Sequence, residues 1–188
     1  MNLSIIIPTL NEEKYLPILL DSLSNQTNKN FEVLVTDCHS EDKTVEKANS
    51  FKDKLNIRVV EAERKNVAHQ RNAGAKAAKG DLLVFADADY KVKQDFVESC
   101  YKEFGKTKAD LIIPFSYPIT KNPLWTLYFY IQNYICILAS LFGKSFGVAS
   151  GNITRREAFE KMRGYNESVY AFEKAAEPTS MKVILTMQ

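Results

Sequence analysis

Short apolar runs rich in β-branched residues recur along the chain, and segments with helical spacing fill the intervals between them. Leu3 to Pro8 (LSIIIP), Phe31 to Asp37 (FEVLVTD), Ile57 to Ala62 (IRVVEA), Asp81 to Asp87 (DLLVFAD) and Ala109 to Phe115 (ADLIIPF) read as strands, because apolar residues run together between turn signals. Near-continuous apolarity, in place of strict alternation, is the pattern of strands covered on both faces. Glu12 to Asn25, Asp42 to Lys52, Ala68 to Lys79 and Gln94 to Phe104 have helical character, and Gly80 is placed as a stop after the third. The alternation predicts an α/β architecture, a mostly parallel sheet flanked by helices, in one domain over residues 1–188.

Leu124 to Phe142 (LWTLYFYIQNYICILASLF) breaks the rhythm. It carries no formal charge and is about as long as the roughly 20 apolar residues that cross a bilayer. Gln132 and Asn133 sit near its middle, where unpaired amides are costly in hydrocarbon, so a spanning helix is disfavoured. Two readings remain open for it: a core helix, or an aromatic-rich helix lying in a membrane surface.

Composition narrows the classes without choosing among them. At 188 residues, 45% hydrophobic and 26% charged, the chain is of ordinary globular make-up. Its 25 Lys plus Arg stand against 23 Asp plus Glu, and the lysines are scattered, so no nucleic-acid partner is expected. Cys38, Cys100 and Cys136 are too far apart for a zinc site or a disulfide framework, which fits a reducing cytoplasm. The first residues, MNLSIIIPTLNEE, lack the charged start of a signal peptide, so the fold is expected to begin at once, in the cytoplasm or at the inner face of the cell membrane.

In open α/β sheets the ligand crevice lies beyond the carboxyl ends of the strands. Here those ends carry Thr9, Asn11 and Glu12 after the first strand, Asp37, His39, Ser40 and Asp42 after the second, and Asp87 and Asp89 after the fourth. Taken singly, each has a structural explanation: Thr9, Asn11 or Ser40 as helix caps, Asp42 near a helix N-terminus, Asp87 closing a turn. Neither a G-x-x-x-x-G-K-[ST] loop nor a G-x-G-x-x-G turn follows the first strand, and there is no G-x-S-x-G elbow. P-loop NTPases, dinucleotide dehydrogenases and serine hydrolases of that type are therefore excluded.

The segments SIIIPTLNEEKYL, VLVTDCHSEDKT, RNAGAKAAKGDLLVFADADY and GNITRREAFEKMRGYNE, in that order, resemble the family 2 glycosyltransferases of GT-A fold, over Leu3 to about Glu173. The resemblance implies transfer of a sugar from a UDP- or GDP-sugar to a glycan or lipid-linked acceptor, with inversion and with Mg2+ or Mn2+ as cofactor. It assigns Pro8, Thr9, Asn11, Glu12, Asp37, Arg71 and Asp87 to the nucleotide and Asp89, the second acid of a DXD signature, to the metal. Ser150, Gly151 and Asn152 fall on the acceptor and donor-sugar side, where Arg155 or Arg156 would face phosphate or solvent. Glu173 matches the first member of the acidic pair from which the catalytic base is drawn. Lys174 stands where the family has the aspartate, Glu177 is a second candidate, and residues 174–188 form an atypical tail. The alternative this leaves is a catalytically impaired domain of the same fold that binds a nucleotide sugar or a protein partner.

Overall fold

The computed structural model describes residues 1–115, 122–141, 151–168 and 183–186. Four strands, β1 (Leu3–Thr9), β2 (Phe31–Asp37), β3 (Ile57–Glu61) and β4 (Leu82–Phe85), lie parallel in the order β3-β2-β1-β4. The sheet continues beyond β4 with β5 (Leu111–Pro114), β6 (Asn152–Arg155) and β7 (Val183–Thr186), in the order β6-β5-β7. β6 runs antiparallel to β4 and β5, and β5 pairs with β7 in parallel.

The strands expected from the apolar runs are present: the second keeps its expected bounds, the first runs one residue longer, to Thr9, and the third to fifth are shorter, the fourth stopping at Phe85, two residues before Asp87. The sequence pattern did not announce β6 and β7. The NITR of β6 lies in a stretch from which no strand was expected, and its burial comes from insertion between β4 and β5 rather than from an apolar run. β7 belongs to what was read as a tail, yet its VILT adds an edge strand to β5.

The helices among the described residues are α1 (Leu16–Ser24), α2 (Thr44–Asn49), α3 (Val67–Ala77), α4 (Phe96–Lys106), α5 (Pro123–Leu141) and α6 (Arg156–Lys161). Side-chain alternation along each strand divides the core in two. Ile5, Ile7, Val33, Val35 and Val84 face α1 and α4, through Leu16, Leu20, Val97 and Phe104. Ile6, Leu34, Leu83 and Phe85 face the other way, against Ala75 of α3 and Phe159 of α6.

α3 approaches the sheet closely because Gly74 has no side chain. A Cβ there would meet Ile6 Cγ2 at 2.4 Å and Thr36 Cγ2 at 2.8 Å. Gly80, expected as a helix stop, serves a different end. α3 already ends at Ala77, and Gly80 lies flat on β1, where its N–H donates to Ser4 Oγ at 2.8 Å and a Cβ would meet the Ser4 backbone nitrogen at 2.7 Å.

At this amino edge of the sheet a buried carboxylate is fully engaged. Glu32 Oε1 accepts from Ser4 Oγ (2.6 Å) and from the Lys79 N–H (2.6 Å), and Oε2 pairs with Arg58 at 3.3 Å. Burial alone would raise the Glu32 carboxyl, but the Ser4 hydroxyl, the Lys79 amide and the Arg58 guanidinium outweigh it and hold the group below its ordinary value.

Two outcomes follow for stability. Gly74→Ala forces Ile6 and Thr36 to shift and costs about 1–3 kcal/mol in denaturant unfolding. Glu32→Gln lowers stability at pH 7 by about 1–3 kcal/mol. Because the folded-state pKa of Glu32 is depressed, its contribution is whole above the ordinary carboxyl range and fades as pH falls through the folded value. The gap between wild type and variant therefore closes in acid, which a series of melting curves from pH 7 downward measures.

Candidate functional site

The carboxyl ends of β1, β2 and β4 meet at one rim. Asp37, 5% exposed at the end of β2, accepts Thr9 Oγ1 at 2.9 Å and Ser40 Oγ at 2.5 Å on Oδ1, and the Ser40 N–H at 2.9 Å on Oδ2. Thr9 and Ser40 are thus not helix caps but supports that fix the Asp37 carboxylate in one orientation. Pro8 is buried within β1 beside Thr36. Asn11 ties the two loops together: its N–H donates to Ser40 Oγ (2.9 Å) and its Oδ1 accepts from the Glu41 N–H (2.9 Å). Both loops turn through the left-handed region, at Asn11 (φ 59°) and His39 (φ 54°), where Asn and His are among the better tolerated residues. His39 points to solvent and pairs with Glu61 at 3.3 Å.

The first turns of α3 reach three separate parts of the rim. Gln70, buried, donates from Nε2 to Thr9 O (2.7 Å) and Thr36 O (2.8 Å), stitching the last carbonyls of β1 and β2. Arg71 is 2% exposed, not a helix-surface residue, and its Nη2 meets Asp87 Oδ1 at 2.9 Å. Its guanidinium lies 5.4 Å from the centroid of the Tyr165 ring, a cation–π geometry. Asn72 receives the Tyr165 N–H at 2.8 Å on its Oδ1 and donates from Nδ2 to Glu167 Oε1 at 2.9 Å. Glu167 also engages Arg64 (2.8 Å) and His69 Nδ1 (3.0 Å), so the turn that follows α6 is pinned to the start of α3.

Gln70, Asn72, Tyr165 and Glu167 were not singled out by sequence reasoning. The available signal was the run His69-Gln70-Arg71-Asn72, four consecutive polar residues on a helix whose other buried positions carry only Ala and Gly.

Beyond β4 the chain turns, with the Tyr90 N–H donating to Asp87 O at 3.2 Å. Ala88 is buried and the two acids point away from it, Asp87 half-exposed and Asp89 exposed. Asp87 is charge-compensated by Arg71, whereas Asp89 makes no ion pair or hydrogen bond among the described residues. Burial, and then the charges of Asp89, Asp42 and Asp87, push the Glu12 carboxyl above its ordinary value. Four carboxylates from three loops therefore share one field, with Arg71 as the cation placed among them. No group of three or more His, Cys, Asp or Glu side chains disposed to hold a metal on their own occurs among the described residues.

On the β6 side, Gly151 has φ 81° and donates its N–H to Phe85 O at 2.6 Å, which sets Asn152 beside Phe85 at the end of β4. Asn152 is 8% exposed, and its Oδ1 has no hydrogen-bond partner among the described residues. Ser150 and Glu173 lie outside the described residues, as do Lys174 and Glu177. Arg155 and Arg156 do not face phosphate. Arg155 caps the end of α4 through Phe104 O (3.0 Å) and Ala109 O (2.8 Å), and Arg156 binds Gly80 O (2.8 Å) and Ala75 O (3.2 Å), at the far edge of the sheet from the rim.

Comparison with known proteins adds a family match. The model for glycosyl transferase family 2 matches residues 4–163. Glycosyltransferase GlyA of Streptococcus pneumoniae is 29% identical over 177 residues, covering 86% of this chain and 25% of that protein. The crystal structure of Staphylococcus aureus TarS 1–349 in complex with UDP-GlcNAc superposes with a TM-score of 0.77 at 21% identity, over the whole of this chain and 59% of that one. The mannosyltransferase PcManGT of Pyrobaculum calidifontis, in complex with GDP-Man and Mn2+, gives 0.75 at 22% identity, over 98% and 54%. The chain spans between a quarter and less than half of the curated relatives GlyA, GlyG and the Haemophilus influenzae protein that it matches.

The crowding at Glu12 has a measurable consequence. A raised folded-state pKa in an acid means that the wild type loses stability as pH rises through that value. Glu12→Gln relieves the repulsion, so it raises the melting midpoint of the ligand-free protein at neutral pH. That gain disappears at pH values low enough to protonate the wild-type carboxyl, and thermal denaturation across pH 3–8 reads it directly.

Proposed function

The chain belongs to glycosyl transferase family 2 and has the GT-A fold, and from that footing we propose that it transfers a sugar from a nucleoside diphosphate bound at the carboxyl rim of β1, β2 and β4. The observation that carries this reading is the unequal treatment of the rim acids: Asp37 is locked by three donors, Asp87 is neutralised by Arg71, and Asp89 is left with its charge uncompensated. Three acids with three environments suit three tasks.

Asp37 receives the base. A carboxylate offers about four acceptor sites, and Thr9, Ser40 Oγ and the Ser40 amide take three. One site remains, which suits the single ring N–H of uracil better than the paired N–H groups on the guanine edge, so the donor is a UDP-sugar. Pro8, Thr9, Asn11 and Glu12 form the wall of that pocket, and Asp87, oriented by Arg71, takes the ribose. Mg2+ or Mn2+ fits Asp89, since an exposed carboxylate in a field of excess negative charge is what a hard cation with oxygen ligands requires. When bound, the cation stabilises charge on the departing diphosphate. The mannosyltransferase and TarS complexes, with Mn2+ and UDP-GlcNAc respectively, support such a ligand set.

Gly151, Asn152 and Ser150 line the sugar side, where the buried Asn152 carbonyl offers an acceptor to a hydroxyl or amide of the donor. Glu173 takes the proton of the acceptor hydroxyl as that oxygen attacks the anomeric carbon from the face opposite the diphosphate, which inverts the centre. The acceptor is a glycan or a lipid-linked sugar.

The test is a panel of thermal shifts followed by turnover. UDP with Mn2+ raises the melting midpoint more than GDP does, and Asp37→Ala weakens UDP binding about 10–100-fold. Asp89→Ala removes the Mn2+-dependent part of the shift and lowers donor hydrolysis or transfer by about 10²–10³-fold. Binding with no turnover by the wild type identifies the chain as a nucleotide-sugar-binding domain, and absence of any nucleotide shift ends the proposal.

A further inference from the structure

The uncharged helix α5 exposes one continuous apolar arc. At about 100° per residue, the exposed positions among its described side chains fall within about 160° of the circumference. Leu124, Leu127, Ile131, Ile135 and Leu138, each at least half-exposed, lie in the middle of that arc. Tyr130 and Tyr134 lie along one edge and Tyr128 along the other, all about half-exposed. Gln132 and Asn133, the amides that argue against a spanning helix, fall outside the arc and are partly buried on the side turned toward the protein, where α5 packs on β7. No helix of the described residues is long and apolar enough to cross a membrane.

The charge pattern around the helix points the same way. No acidic residue occurs between Asp110 and Glu157, whereas Lys121 and Lys144 stand just before and just after the helix. Aliphatic side chains in the centre and tyrosines at the rims, in a stretch of sequence whose only charges are basic, complement a bilayer surface with anionic headgroups: the aliphatics enter the acyl boundary and the tyrosine hydroxyls stay at headgroup level. A soluble partner helix would require no tyrosine at both borders, and a second copy of this chain carries no acidic residue between Asp110 and Glu157 to complement the basic charges of this stretch.

We propose that α5 lies flat on an anionic phospholipid surface, with its Leu127–Ile131–Leu138 ridge inserted and its axis parallel to the membrane. This goes beyond the transferase reading and stands without it. Vesicles of phosphatidylcholine alone, and vesicles containing about 30% phosphatidylglycerol, are co-sedimented with the whole chain, and its mass in solution is measured by light scattering. The wild type sediments with anionic vesicles and much less with neutral ones. Leu127→Glu/Ile131→Glu lowers the partition coefficient about tenfold or more while leaving the melting midpoint in place. Ile135→Gln, a milder change on the same ridge, gives a smaller loss in the same direction. No binding by the wild type, equal binding to neutral vesicles, undiminished binding by the double variant, or self-association without vesicle binding each overturns the proposal.

Discussion

The close seating of α3 on β1 and β2 is the constraint from which the rim is built. With Gly74 against Ile6 and Thr36, the helix axis comes nearer to the sheet than any side chain would allow. That approach lets Gln70, one turn earlier, reach two strand carbonyls, and lets Arg71 pass beneath Tyr165 to Asp87. Asn72, on the next flank, meets the turn after α6. A helix held even a few tenths of an ångström farther away would lengthen all of these bonds together, because they radiate from consecutive residues of one rigid element. The segments before and after β6 are therefore not independent of the rim: Tyr165 packs on Phe85 and Phe159 and over Arg71 at once, so the turn that carries it bears on the orientation of Asp87.

The two ends of the sheet treat carboxylates in opposite ways. At the amino edge Glu32 is given a hydroxyl, an amide and a guanidinium, and its charge stabilises the fold. At the carboxyl edge Glu12, Asp42, Asp87 and Asp89 are set close enough to help raise the first of them, and Arg71 pairs with Asp87. Uncompensated negative charge is a cost in the ligand-free state, and such costs concentrate where a ligand later relieves them. That contrast, rather than the number of acids, separates a binding rim from a set of capping residues.

Much of this was legible in the chain, for identifiable reasons. The strands β1 to β5 are dense apolar runs, and Asp37, Asp87 and Asp89 follow them directly, so their position at one rim needed only the rule for α/β sheets. β6 was hidden because NITR has a single strongly apolar residue, and its strand character depends on neighbours on both sides. Thr9 and Ser40 looked like caps because local sequence cannot show that their hydroxyls turn toward an aspartate on another strand. Arg155 and Arg156 looked available to phosphate because nothing local shows that backbone carbonyls away from the rim engage them. In each case the missing information was long-range.

The connection that carries α5 is where topology ceases to explain the chain. Parallel neighbours need a crossover of a dozen or more residues, which accounts for α1, α2 and α3 between the parallel strands of the first half. β5 and β6 are antiparallel neighbours, for which a two-residue turn is enough. The chain instead interposes residues 115–151, with a 19-residue uncharged helix inside them, before it returns at Gly151 to the end of β4. Since the sheet does not require that excursion, and the helix leaves an apolar face in solvent that the fold gains nothing by exposing, its cause lies outside the domain. The excursion returns at Gly151 to Phe85 at the end of β4, so whatever surface α5 meets is joined through the chain itself to the rim of the sheet.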